Sequence, residues 1–202
     1  KDGKNLTNIV LMGMGEPLDN YENVKKSVEI LSAQWGYSLG ARYITLSTVG
    51  LIPQLERACL ELPCNIAISL HSPFPEERQK LIPAEIKNPL QEAVALLRRI
   101  PFERKRRLSF EYTLIKGVND SSEHAKATAQ LLSRLDCHMN LIACSPIPGT
   151  SFVSPDVDTI ETFRQYLNKG GLRATIRKSR GQDISAACGM MAGKMAKKSA
   201  GE

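Results

Sequence analysis

The chain is 202 residues long, 42% of them hydrophobic, with a formal net charge of +6, which fits a single globular domain and excludes a disordered or fibrous chain. The modest positive charge suits an anionic partner without requiring one. No apolar run approaches the ~20 residues that span a bilayer and KDGKNLTN at the start has no signal-peptide core, so no membrane partner is expected.

The first expected strand, NIVLMGM (8–14), runs into glycines. Gly13 and Gly15 let the backbone turn sharply and approach a ligand, Glu16 supplies an acceptor and Pro17 stiffens the exit. The spacing is not G-x-G-x-x-G and no lysine follows at P-loop distance, so a phosphate cradle is a poor fit. A carboxylate here suits an ammonium group, as on an amino acid. A plain βα turn with Glu16 near the next helix accounts for the same residues equally well.

A helical pattern follows at 23–34, then a strand at 43–49 that reaches Ser47, Thr48 and Gly50, a helix at 52–61, and a strand at 65–71 that reaches Ser69 and His71. After a helix at 89–100 comes the charge run ERKRR (103–107), which reads as a solvated face or a contact for RNA phosphates. The strand at 107–115 leads into Lys116, Gly117, Val118 and Asn119, and Asp120 with two serines marks the start of a helix at 122–135. A strand at 139–144 leads to Ser145, Pro146 and Pro148, a helix at 158–170 stops at Gly170–Gly171, and a last strand occupies 172–178.

This alternation predicts one α/β domain over 1–202, with 179–202 as a tail. Continuous apolar strands predict a parallel sheet buried on both faces. In a (β/α) barrel chemistry sits at the carboxyl ends of the strands, and here those ends offer small residues plus hydrogen-bonding groups, a ring able to hold a small polar ligand. Taken singly, Ser47 and Ser69 could satisfy backbone groups, His71 could be structural, and Asn119 could hold a turn. Five cysteines, Cys59, Cys64, Cys137, Cys144 and Cys188, are odd in number and irregular in spacing, which argues against a disulfide framework and for a reducing, cytoplasmic setting. Cys188 lies in AACGMMAG, among small residues that leave room for a substrate, although burial is the common fate of a free cysteine.

Taken together, GMGEP, LSTVG, ISLHSP, GVND and RGQDISAACG resemble the radical S-adenosylmethionine (SAM) methyltransferases that modify adenosine in 23S ribosomal RNA, with the RlmN family, which methylates carbon-2 of adenine, the nearest match. The resemblance runs from Asn8 to Gly193 and implies a partial, open TIM-type radical SAM barrel of parallel strands with its first strand missing. It places SAM contacts on Gly15, Glu16, Ser47, Ser69, Leu70, His71 and Asn119, and makes Cys188 the catalytic methyl carrier. The implied mechanism uses two SAM molecules. One methylates Cys188; the other, split reductively at a 4Fe-4S cluster, yields a radical that takes hydrogen from the S-methyl group, so that its carbon adds to adenine before an upstream cysteine releases the product by disulfide formation. Implied partners are 23S rRNA, possible tRNA substrates, and a reductant such as flavodoxin or ferredoxin.

The chain departs from the family in lacking C-x-x-x-C-x-x-C, the run that ligates such a cluster, so no metal ligand is expected within it. Cys59, Cys64, Cys137 and Cys144 have the wrong spacing and are expected to pack. With no initiator methionine and a first strand within eight residues, the chain reads as a fragment, inactive alone and weak in SAM binding, with an exposed seam where a strand is missing. Ser185 stands where the family usually has an acid, and Met190–Met191 where it has Gln-Leu. Two alternatives remain open: the sister group that methylates carbon-8 of the same adenosine, and a non-catalytic α/β domain that binds RNA through its basic surface.

Overall fold

The computed structural model describes residues 6–13, 15–102, 106–146 and 150–177. The strands are β1 (Ile9–Leu11), β2 (Ile44–Thr48), β3 (Asn65–Ser69), β4 (Leu108–Leu114), β5 (His138–Ala143) and β6 (Ala174–Arg177). They form one six-stranded sheet in the order β1-β2-β3-β4-β5-β6, every neighbouring pair parallel. The helices between them are α1 (Tyr21–Ser32), α2 (Ile52–Glu61), α3 (Pro75–Leu81), α4 (Leu90–Arg99), α5 (Ser122–Leu131) and α6 (Val157–Lys169). Among the described residues, no helix is long and apolar enough to cross a membrane.

Because each crossover between parallel strands is right-handed, adding every new strand to the same edge places all the helices on one face. That face is the core. Ile44 and Leu46, Ile66 and Ile68, Phe110, Tyr112 and Leu114, and Met139 and Leu141 alternate along the strands and are at most 0% exposed. The helices meet them with stripes at helical spacing, such as Ile160, Phe163 and Leu167 on α6. The Phe163 ring lies 5.1 Å from that of Tyr112. Burying each such side chain contributes about 1.5–3 kcal/mol, so this layer supplies most of the stabilisation.

The other face is largely polar, which corrects the expectation of a sheet buried on both sides for β2 and β5, while Asn65–Ile68 of β3 is buried throughout. Strand β2 alternates buried and half-buried residues along ITLST, and β5 begins with a half-buried His138 and a half-buried Asn140. The sheet curls around this polar face. In a flat sheet of six strands the two edges lie about 24 Å apart, more than an arginine and a methionine can bridge, yet Arg177 Nη1 on β6 is 3.6 Å from Sδ of Met12 just after β1. The result is an open half-barrel with a polar lumen, whose edge strands among the described residues are β1 and β6.

Helix starts follow their capping chemistry. Ser121, not Asp120, caps α5, its hydroxyl accepting from the His124 N–H, while Asp120 accepts from the Gly117 N–H at 3.0 Å. Helix α6 ends at Gly170, and Gly171 adopts φ +83° in the left-handed region, as the double glycine predicts. Helix α3 is absent from the sequence expectation.

Candidate ligand site at the strand ends

Five loops at the carboxyl ends of β1–β5 surround the lumen, and polar side chains stitch the first four together. Glu16 accepts from the Leu18 N–H at 3.0 Å through one carboxylate oxygen and from the Val49 N–H at 2.8 Å through the other. It thereby caps the short 3-10 turn at Pro17–Asn20 and ties the end of β1 to the end of β2. Gly15 has φ +93°, a conformation that a side chain strains, and a Cβ placed at Gly13 or Gly15 would meet nothing within 4 Å. The glycines therefore leave space rather than fill it. We expect Glu16→Ala to remove a cap worth about 0.5–2 kcal/mol with folding retained; thermal melting checks it.

Ser47 and Ser69 lie on the lumen face: Ser47 pairs with Ala67 on β3, and Ser69 stands two residues further along the same face. Both are half-buried, and neither hydroxyl has a hydrogen-bond partner among the described residues. Thr48 differs, since its hydroxyl accepts from the Gly50 N–H at 3.0 Å. Within the described residues the two serines are thus not spent on strand ends.

His71 adopts φ +57° and its Nδ1 accepts from the Thr113 N–H at 3.0 Å. Burial, with the Arg78 charge adding to it, pushes the imidazole down to about 4. The ring is therefore neutral at physiological pH. With Nδ1 an acceptor, its proton sits on Nε2, which has no partner among the described residues and remains a donor.

Leu70 and Asn119 hold the frame of this mouth. Leu70 is fully buried; its N–H donates to the Glu111 carbonyl at 2.9 Å, and its own carbonyl accepts from Ser72 and Arg78. Asn119 is also fully buried. Its Nδ2 donates to the carbonyls of His71 at 2.7 Å and Thr113 at 2.8 Å, and its Oδ1 accepts from the Ile115 N–H at 2.7 Å. Both amide hydrogens are used inside the protein, which leaves none for a ligand.

The residue that does most to assemble the mouth was not visible in the sequence. Arg78, on α3, is fully buried and donates through Nε to the Leu70 carbonyl at 3.1 Å and through Nη2 to the carbonyls of Val49 at 2.7 Å and Ser69 at 2.8 Å. Its Nη1 pairs with Glu85, itself buried, whose carboxylate also accepts from the Leu90 N–H. One guanidinium thus fixes the ends of β2 and β3 to each other and to α4. Burial lowers its pKa, the Glu85 charge opposing that shift. A compact polar turn, PFPEERQK, gave no apolar periodicity from which to read a helix, and arginine in such a turn reads as solvated.

The remaining expectations fall elsewhere. Cys59, Cys64, Cys137 and Cys144 are buried free thiols, and burial pushes Cys59 and Cys137 up to about 12 and Cys64 to about 11. They pack, as expected. Among the described residues no three His, Cys, Asp or Glu side chains are placed to hold a metal ion. Arg106 of the ERKRR run donates to the carbonyls of Cys59 at 2.7 Å and Cys64 at 3.1 Å and stacks on Phe102, so it is a structural brace at the amino end of β4, away from the mouth. Residues 103–105, Pro148 and the tail with Ser185, Cys188, Met190 and Met191 lie outside the described residues.

The comparisons agree with this geometry. A family model described as "Radical SAM superfamily" matches residues 1–132. The "Probable dual-specificity RNA methyltransferase RlmN" of Bacteroides fragilis is 52% identical over 186 residues, 92% of this chain and 54% of that protein. The protein of the same name from Parabacteroides distasonis is 46% identical over 190 residues, 94% of this chain and 55% of that one. A crystal structure of a radical SAM methyltransferase from Sphaerobacter thermophilus superposes with TM-score 0.89 at 48% identity, covering 93% of this chain and 55% of that chain. A domain of a pyruvate-formate lyase-activating enzyme from Bacteroides vulgatus shares the fold alone, with TM-score 0.63 at 20% identity over 86% of this chain. This chain spans about half the length of the curated relatives it matches. With a parallel open half-barrel, a glycine-lined mouth and a family match over most of its length, the chain belongs to the radical SAM superfamily and is similar nearly throughout to RlmN-type RNA methyltransferases.

Proposed function

We propose that this chain is the SAM-binding barrel of an RNA methyltransferase that methylates carbon-2 of adenosine in 23S rRNA, and in tRNA, with Cys188 as the methyl carrier. The observation that carries the reading is the set of half-buried groups without a partner among the described residues at one mouth, the hydroxyls of Ser47 and Ser69 and the Nε2–H of His71, beside the open space at Gly13 and Gly15. A core would have satisfied those groups. They fit a ligand with an amino acid end and a nucleoside end.

Bound there, SAM supplies an activated methyl group and, on reductive cleavage, an adenosyl radical. Glu16 and the backbone at Gly15 would hold the methionyl ammonium, the serines would meet hydroxyl or carboxylate oxygens, and neutral His71 would donate from Nε2. Arg78 and Asn119 keep these groups in register without touching the ligand. A 4Fe-4S cluster does not fit the described residues, whose thiols are separately buried and held protonated. The reading accordingly expects the isolated chain to be inactive, and the full-length protein to act in the cytoplasm with a flavodoxin- or ferredoxin-type reductant.

The test compares the isolated chain with the protein extended to the length of its relatives. The longer protein, purified without oxygen and given SAM, reductant and 23S rRNA, should yield 2-methyladenosine in the digested RNA. The isolated chain should bind SAM weakly by calorimetry. Formation of 8-methyladenosine would reassign the product, and RNA binding with no modified base would favour the non-catalytic reading.

A further inference from the structure

The lumen carries a second polar cluster that meets the mouth only at Ser69. Sheet register sets Ser69, Glu111, Asn140 and Thr175 side by side across β3, β4, β5 and β6, one row on the lumen face. Glu111 is 5% exposed. Its Oε1 accepts from Asn140 Nδ2 at 2.8 Å and from the Ser109 hydroxyl at 3.4 Å. Its Oε2 is buried and, among the described residues, has no hydrogen bond. Among the described residues its ion-pair partner is Arg177 Nη1 at 3.7 Å, beyond hydrogen-bond distance. A buried carboxylate oxygen without a donor is costly and calls for a partner.

We propose that Glu111 is a recognition residue for the base to be methylated, its Oε2 accepting a hydrogen bond from the 6-amino group of adenine. The inference rests on the RNA adenosine methyltransferase reading above. It follows from division of the lumen: the unpaired serines and the open glycines occupy β1–β3, so a ligand held there borders the β4–β6 row at Ser69. The second reactant must reach that ligand, and the row is a part of the polar lumen that adjoins it. Adenine offers one donor group on its edge, the 6-amino. The missing bond on Glu111 is for a donor. Asn140 holds the carboxylate from its other oxygen, which fixes the direction in which the free oxygen can accept.

The experiment uses the full-length protein and two RNA substrates, one with the target adenosine and one with purine riboside, which lacks the 6-amino group, in its place. For the wild type, the purine substrate should lower kcat/KM of methyl transfer by roughly 10- to 100-fold. Glu111→Gln, nearly isosteric, should lower kcat/KM on the adenosine substrate by a similar factor, with no further loss on the purine substrate. SAM affinity should change less than about 3-fold. Equal turnover of both RNAs by the wild type would overturn the proposal, and that arm needs no variant to fold. A Glu111→Gln loss of SAM affinity as large as its loss of kcat/KM would also overturn it, by assigning Oε2 to SAM. A wild type that methylates RNA at no adenosine would sink the underlying reading, and this inference with it.

Discussion

Arg78→Leu is expected to destabilise the chain by about 3–5 kcal/mol, which for a domain of this size lowers Tm by on the order of 10 °C. The effect is large because the substitution leaves Glu85 buried without its partner and strips donors from the carbonyls of Val49, Ser69 and Leu70. Lysine should recover little. Its ammonium is a point charge without the planar fork that reaches the ends of two strands and a carboxylate at once. Pairing Arg78→Leu with Glu85→Gln should be less damaging than the sum of the two single changes, since the uncompensated charge is then gone. Differential scanning calorimetry of the four proteins checks this. A single-variant loss below about 1 kcal/mol would place Arg78 among ordinary surface arginines.

Cys188→Ala in the full-length protein should leave folding and SAM binding near wild type and reduce RNA methylation by on the order of 10³-fold or more, as loss of a nucleophile does. As proposed, the Cys188 thiolate attacks the sulfonium methyl of SAM, a sulfur–methyl bond forming as the original one breaks, with S-adenosylhomocysteine leaving. Alanine provides no electron pair for that step. A cysteine that merely packs predicts a modest stability loss and retained chemistry. Peptide mass spectrometry should find one added methyl group on the DISAACGMM segment of the wild type. Near-normal methylation by the alanine variant would exclude a carrier role.

The fold was legible because it rests on local signals. Five of the six observed strands fall inside expected segments and β5 begins one residue early, at His138, while the turn chemistry at Gly15 and Gly171 was written in glycines. The polar lumen was harder to read. In β4, LSFEYTL, the alternation of Ser109, Glu111 and Thr113 with Leu108, Phe110, Tyr112 and Leu114 is plain once seen. Serine and threonine, however, sit as easily in a buried strand as in a half-exposed one, so apolar neighbours dominated the reading. Arg78 and Glu85 were hidden for a different reason. They are close in sequence but acquire meaning from the carbonyls of Val49, Ser69 and Leu70, which only the folded strand ends bring within reach. Asn119 stood out in GVND as a polar residue after a strand, yet sequence could not tell a side chain that faces a ligand from one that fastens the loop behind it.

The strand order, identical with the chain order, bears on how the molecule comes apart. Among the described strands each pairs with its sequence neighbours, so each pairing closes a single βαβ loop and the entropy of assembly is met one unit at a time. Among the described residues the tie between the ends of this array is Arg177 reaching Met12. Local opening should therefore begin at the three-residue β1 and the four-residue β6 and reach β3 and β4 last, a graded cooperativity closer to that of a stacked-repeat protein than to that of a closed barrel. The glycine loop that borders the ligand site hangs from the first of those fraying ends, so a molecule bound at Glu16 would act as a fastener, lowering the rate at which the sheet unzips from β1.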